Sequence, residues 1–270
     1  MQILFVGGGN MAGALIGGML AQGFPTAAVT VVDVSPEACA RIAGRHGVRT
    51  LADIGEAREV FDVVLLAVKP QQISEVCRAI AGRIGNALVI SIAAGIRTTD
   101  LARWLGGYRR LVRAMPNTPA LLGAGVSGLY AAPGASAKDR EDAQRILAAV
   151  GSVVWFESEP ALDAVTAVSG SGPAFVFYFM EAVEDAARTL GLDAAAARKL
   201  TLETFLGAAR LAVEGEDPPS VLREKVTSKG GTTERALKNL DAASVKSRIV
   251  AAVRAAADRA RELGDEFGRI

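Results

Sequence analysis

One histidine and two cysteines among 270 residues leave little for metal or thiol chemistry. Cys39 and Cys77 cannot build a disulfide framework, and with a single histidine they exclude a Cys/His zinc site. A catalytic thiolate would need a base beside it, and His46 stands seven residues from Cys39. All three are expected as structural residues in a protein of a reducing compartment, the cytoplasm. Aromatic residues make up only 5% of the chain. Such a chain suits close-packed helices, not a β-sandwich. No sign of charge dominates: 30 Lys and Arg against 29 Asp and Glu give a net +1. That balance argues against nucleic acid or an acidic membrane as the partner. No Lys or Arg precedes Arg41, so the apolar N-terminus lacks the basic region of a signal peptide. No later run of about 18 uninterrupted apolar residues suggests a transmembrane helix.

What is present is a large apolar fraction, 50% of the residues. That is enough for a substantial core and for two domains. Short continuous apolar runs recur in the first part: Ile3 to Val6, Val29 to Asp33, Val63 to Val68, Leu88 to Ile92 and Leu111 to Met115. Helical segments separate them, the pattern of a parallel sheet covered on both faces. Val126 to Ala131 and Val153 to Phe156 complete this sheet, flanking a helix near 138–150. After about residue 160 the strand-like runs stop. Helices are expected at 173–190, 194–214, 219–225, 232–240 and 244–263. The fold class is therefore α/β: a Rossmann-type doubly wound sheet over 1–159, then an all-helical domain over 160–270. Long apolar helices without a sheet can hardly shield themselves, so the second domain is expected to pack against a second copy.

Val6-Gly7-Gly8-Gly9-Asn10-Met11-Ala12 ends the first strand with G-x-G-x-x-A. Gly7 makes the tight turn, Gly9 leaves room for a pyrophosphate, and Ala12 lets the helix approach the sheet. The amides that open the helix then face the anion. Together with an acid at the end of the second strand, this context points to a dinucleotide. Asp33 can accept both adenosine-ribose hydroxyls and repel a 2′-phosphate, which leans to NADH over NADPH. Asp33 can also merely cap the loop at Ser35. Ala67-Val68-Lys69-Pro70 and Ile92-Ala93-Ala94-Gly95 end two further strands with small or backbone-shaping residues. Lys69 is either a ligand contact or a solvated strand end.

A second stretch, Val226-Thr227-Ser228-Lys229-Gly230-Gly231-Thr232-Thr233, precedes a short helix. A glycine pair, neutral hydroxyls and a helix start suit a small carboxylate. Ordinary helix capping explains the same residues. Ser169-Gly170-Ser171-Gly172-Pro173 looks like a similar entry to the first long helix, with capping the better explanation.

Lys69-Pro70, Ser91 to Gly95, Arg113-Ala114-Met115-Pro116-Asn117-Thr118-Pro119, Ser169 to Ala174 and Val226 to Thr233 together resemble the pyrroline-5-carboxylate reductases, in the order and spacing of that family. The resemblance spans essentially the whole chain. It implies hydride transfer from NADPH or NADH to the C=N carbon of 1-pyrroline-5-carboxylate, giving L-proline, the last step of proline biosynthesis. It implies that Ser228 and the amides of Gly231 and Thr232 hold the carboxylate, and that the Thr233 hydroxyl reaches the ring nitrogen as the catalytic contact. Gly7 to Met11, Ala67 to Pro70 and Ile92 to Ala94 would line the cofactor. It further implies an intertwined homodimer, in many relatives assembled into a decameric ring. Two residues depart from the family pattern: Asp33, where relatives often carry a small or polar residue, and Lys225, where many carry Asn. β-Hydroxyacid dehydrogenases share the domain order but need a Lys and a nearby Asn on the helix that corresponds to 173–190, and this one has neither.

Overall fold

The computed structural model describes residues 1–57 and 59–269. The chain forms two compact units, Met1–Ser171 with Ala255–Ile270, and Gly172–Arg254. The segment up to Ser171 and the end of the last helix both belong to the first unit.

The first unit is built on one eight-stranded sheet, in the order β3-β2-β1-β4-β5-β6-β7-β8. Its strands are β1 (Ile3–Val6), β2 (Val29–Val32), β3 (Arg49–Leu51), β4 (Val63–Leu66), β5 (Leu88–Ser91), β6 (Leu111–Met115), β7 (Gly125–Ala131) and β8 (Gly151–Trp155). β1 pairs in parallel with β2 on one side and β4 on the other, so the chain order switches there. β1 to β6 are parallel, as expected, but β7 runs antiparallel to β6, and β8 follows β7 in parallel. The sheet is thus mixed at one edge. β3 was absent from the sequence expectation.

Alternation along each strand divides the core between two faces. Ile3, Phe5, Val31, Leu65 and Ile90 pack on one side with Leu15, Ile16 and Met19 of α1 (Asn10–Ala21), Ile42 of α2 (Pro36–His46) and Ile146 of α5 (Ala137–Leu147). Leu4, Val6, Val64, Leu66 and Val89 pack on the other with Ile73, Cys77 and Ile80 of α3 (Ile73–Ile80) and Leu101 and Trp104 of α4 (Thr98–Trp104). Each fully buried Leu or Ile contributes about 1.5–3 kcal/mol. Burial pushes the Cys77 thiol up to about 12, so this cysteine is a core apolar group.

α6 (Ala161–Val165) runs into a π-helical turn, Thr166–Gly170, which closes the first unit. The second unit contains α7 (Gly172–Thr189), α8 (Ala194–Glu214), α9 (Pro219–Lys225) and α10 (Thr232–Ala242); α11 (Val245–Phe267) begins in it and ends in the first. α7 buries none of its residues, and Phe177, Tyr178, Leu206 and Leu211 are exposed. An apolar helix pair left this open accords with the expected second copy. Among the described residues, no helix is long and apolar enough to cross a membrane.

Candidate active site

The expected cofactor residues meet at the carboxyl ends of β1, β2, β4 and β5, beside the point where the strand order switches. Such a crevice is where open α/β sheets take ligands. Gly7 has φ +104°, and a Cβ there would lie 2.8 Å from the Ala67 carbonyl carbon and oxygen and 2.9 Å from the Val68 nitrogen. Only glycine fits this backbone and this contact, so the turns after β1 and β4 touch. Gly9, the residue before α1, has φ −69°, and a Cβ there would meet nothing within 4 Å. Its exposed backbone borders open space, and no side chain caps the helix start. This geometry fits a pyrophosphate lying against the loop. Ala12 is buried against the sheet, as the close helix approach requires.

Asp33 is more engaged than the sequence suggested. One carboxylate oxygen accepts the Gly8 amide at 2.7 Å and the other the Ser35 amide at 2.8 Å. It therefore does cap its loop, and its carboxylate stays beside the glycine turn. Ser35 in turn caps α2, its hydroxyl accepting from the Ala38 amide, with Pro36 in the first turn. Arg41 escaped the sequence reading. It lies on α2, and its Nη2 donates to the Gly8 carbonyl at 2.7 Å. Gly8 is thus held by an acid at its amide and a cation at its carbonyl. Lys69 is exposed and Pro70 opens a short 3-10 turn. Ile92 continues the sheet, its amide donating to the Leu66 carbonyl, and the Ala93 amide donates to the Ser91 hydroxyl at 3.3 Å.

Asn117 was noted only as part of a motif. It is buried; its Oδ1 accepts the Val126 amide at 2.9 Å and its Nδ2 donates to the Ser169 carbonyl at 3.1 Å. It ties the loop after β6 to the π-helical turn. Arg113 on β6 is also buried and pairs with Glu159 and Asp163, both at 3.4 Å. Glu159 accepts the Thr98 amide and hydroxyl at 2.7 Å each.

The expected substrate residues lie in the second unit, where α9 ends and α10 begins. Thr227 donates its hydroxyl to the Arg223 carbonyl and so caps α9. Gly230 has φ +75° and turns the chain. A Cβ on Gly231 would lie 2.5 Å from the Ser228 hydroxyl, which is why that position takes glycine. The amide nest is narrower than expected. The Gly231 amide donates to the Ser228 carbonyl at 3.0 Å, and the Gly230 amide to Glu234 Oε2 at 2.7 Å. The Gly231 amide is therefore spent on closing the turn. No side chain caps α10, which leaves its opening amides at Thr232 and Thr233 pointing outward from the helix. The Gly230 amide and Lys238 hold the Glu234 carboxyl below the usual carboxylate range. Lys238 balances that charge at 3.0 Å, so the turn keeps the favourable end of the helix dipole.

A family described as pyrroline-5-carboxylate reductase dimerisation matches residues 159–263, and one described as NADP oxidoreductase, coenzyme F420-dependent, matches residues 2–95. Over 269 residues the chain is 46% identical to the pyrroline-5-carboxylate reductase of Pseudomonas aeruginosa, covering 99% of this chain and 98% of that one. The chain belongs to the pyrroline-5-carboxylate reductase family. It is 43% identical to the pyrroline-5-carboxylate reductase of Haemophilus influenzae, with 98% of each chain covered. Its fold superposes on that of the pyrroline-5-carboxylate reductase of Coxiella burnetii with a TM-score of 0.91, at 42% identity and 97% and 98% coverage. The Plasmodium falciparum pyrroline carboxylate reductase, solved with NADP bound, gives 0.87 at 26% identity over 98% of both chains. Membership of this family extends over both units, from the glycine turn to the last helix.

Proposed function

We propose that this chain reduces 1-pyrroline-5-carboxylate to L-proline with a reduced nicotinamide dinucleotide. What supports it most is the start of α10, an uncapped helix end flanked by the neutral hydroxyls of Ser228 and Thr233, in a chain of this family. A small anion is recognised there without a buried counter-charge. Ser228 and the Thr232 amide hold the carboxylate, and Gly231 admits the Ser228 hydroxyl. The Thr233 hydroxyl meets the ring nitrogen.

The first unit carries the reductant along Val6 to Met11, Ala67 to Pro70 and Ile92 to Ala94. When bound, the nicotinamide supplies the hydride. A protonated imine is already electrophilic and the product amine keeps its proton, so the protein needs no strong acid. Its work is alignment, and alignment alone can account for a large share of a barrier. Thr233 orients the imine and steadies its N–H. Asp33 sets a negative charge beside Gly8, which favours NADH over NADPH. The chain works in the cytoplasm as a homodimer built through the open faces of its second unit; free Cys39 and Cys77 and the dimerisation family support this.

The test is loss of reduced-nicotinamide absorbance with and without 1-pyrroline-5-carboxylate, run with NADH and NADPH in parallel. Oxidation that depends on the imine is expected. Oxidation without it, or none with it, refutes the proposal. A preference for NADPH above about tenfold, or about 1.4 kcal/mol, refutes the role given to Asp33.

A further inference from the structure

The turn that follows β5 is fastened from outside by the end of the last helix. Gly95 has φ +75°, and a Cβ there would lie 3.3 Å from the Leu263 Cβ and 3.4 Å from the Phe267 ring. The last turns of α11 thus rest directly on the turn. Gly264 answers Gly95: it is buried, and a Cβ on it would come within 3.0 Å of Arg97 Nη2. Arg97 stands two residues beyond Gly95 and immediately precedes α4. Its Nη2 donates to Asp265 Oδ1 at 2.7 Å and to the Arg261 carbonyl at 3.4 Å. A second arginine, Arg103, donates to the Gly268 carbonyl. Two cations, Arg97 just before α4 and Arg103 within it, therefore meet the carbonyl end of α11, where the helix dipole favours them. Phe267 packs against the core cluster that includes Ile96, Leu101 and Trp104.

We propose that Arg97 is a positioning residue for the dinucleotide: by tying the Ala93–Gly95 turn to the end of α11 it holds the backbone against which the cofactor lies. The inference rests on the assignment of Ile92 to Ala94 to the cofactor site. Arg97 and Asp265 keep 35% and 52% of their side-chain surface exposed. An ion pair that open adds little to global stability. Its effect falls on local order of the turn, and a turn that must be ordered on binding lowers affinity.

The experiment is fluorescence titration of the full-length protein with NADH, alongside thermal melting and steady-state kinetics. Arg97→Ala and Asp265→Ala should each weaken NADH binding about fivefold, the effect of leaving roughly one residue to be ordered. The double variant should be no worse than either single, because both remove one interaction. Arg97→Lys should recover part of the affinity. The KM for NADH should rise while kcat holds, and the melting temperature should barely move. Ala94→Val, which puts bulk on the turn itself, serves as the reference. If Ala94→Val weakens binding and Arg97→Ala does not, the positioning role is refuted while the cofactor assignment stands. If neither variant changes binding, the cofactor assignment fails and takes the inference with it. Parallel loss of melting temperature and affinity in both Arg97→Ala and Arg97→Lys would make Arg97 a general structural residue and overturn the proposal.

Discussion

Replacing Gly9 by alanine separates folding from cofactor binding. The backbone at Gly9 has φ −69° and ψ −177°, a conformation any residue adopts, and its Cβ would point into open space. Alanine there restricts the unfolded chain, a gain of about 0.4–1 kcal/mol. It is a poorer residue than glycine in front of a helix, by a similar few tenths to one kcal/mol. These effects offset, so Gly9→Ala should melt within a degree or two of the parent, the shift expected when ΔΔG is about a few tenths of a kcal/mol. The new methyl occupies the space a pyrophosphate needs. Crowding of that kind costs about 1–3 kcal/mol, which weakens NADH binding about fivefold to hundredfold. Gly7→Ala provides the contrast. Its φ of +104° strains any side chain by about 1–3 kcal/mol, and the Cβ would strike the Ala67 and Val68 backbone. That variant should lose stability before any nucleotide is added. Thermal melting without ligand and titration of nicotinamide fluorescence read the two effects. Wild-type NADH affinity in Gly9→Ala, or a melting temperature as low as that of Gly7→Ala, would refute the reasoning.

Three further outcomes are expected. Thr233→Ala should lower kcat/KM about ten- to hundredfold, the worth of a hydrogen bond to a charged group, and leave NADH affinity unchanged; equal loss of both would count against its contact with the imine. Arg113→Met leaves Glu159 and Asp163 without their buried cation and should cost about 3–5 kcal/mol in urea denaturation, whereas a change under about 1 kcal/mol would show that the cluster is not a structural anchor. Burial, and then the Arg45 charge, depress the His46 pKa, and its Nε2 is buried without a partner among the described residues. The unfolded chain then binds the proton more readily, so stability is present above the ordinary histidine value of about 6.5 and is lost as pH falls through it toward the depressed folded value. His46→Gln should flatten that part of the stability–pH curve; identical curves for the two proteins would contradict the assignment.

The central strands were legible because a strand buried on both faces has no alternation to hide in. Val63-Val64-Leu65-Leu66 is apolar throughout and all four residues are buried. β3 was not legible: of Arg49, Thr50 and Leu51 only the last is buried. The direction of β7 was not legible either, since an apolar run looks alike in a parallel and an antiparallel place. The helix boundaries of the second unit came close, with 194–214 and 219–225 matching α8 and α9. Periodicity defines a helix but not its neighbours, so the return of the end of α11 to the first unit could not be foreseen. The glycine turn was legible for the same reason that Gly7 is needed there: backbone approach leaves a residue-type signature. Arg41 left none, because its role depends on a side chain reaching across 33 residues of sequence to the Gly8 carbonyl. The Gly231 amide shows the opposite limit. The glycine pair signalled a turn, but not that the turn would use up its own donor.

The most direct test of the central claim follows the hydride itself. NADH carrying deuterium at both C4 positions is incubated with the enzyme and 1-pyrroline-5-carboxylate, and the proline formed is examined by mass spectrometry and NMR. Deuterium on ring carbon 5, one for each NADH consumed, is the predicted result. Proline without deuterium, or NADH consumed with no proline formed, would contradict direct transfer between the two ligands.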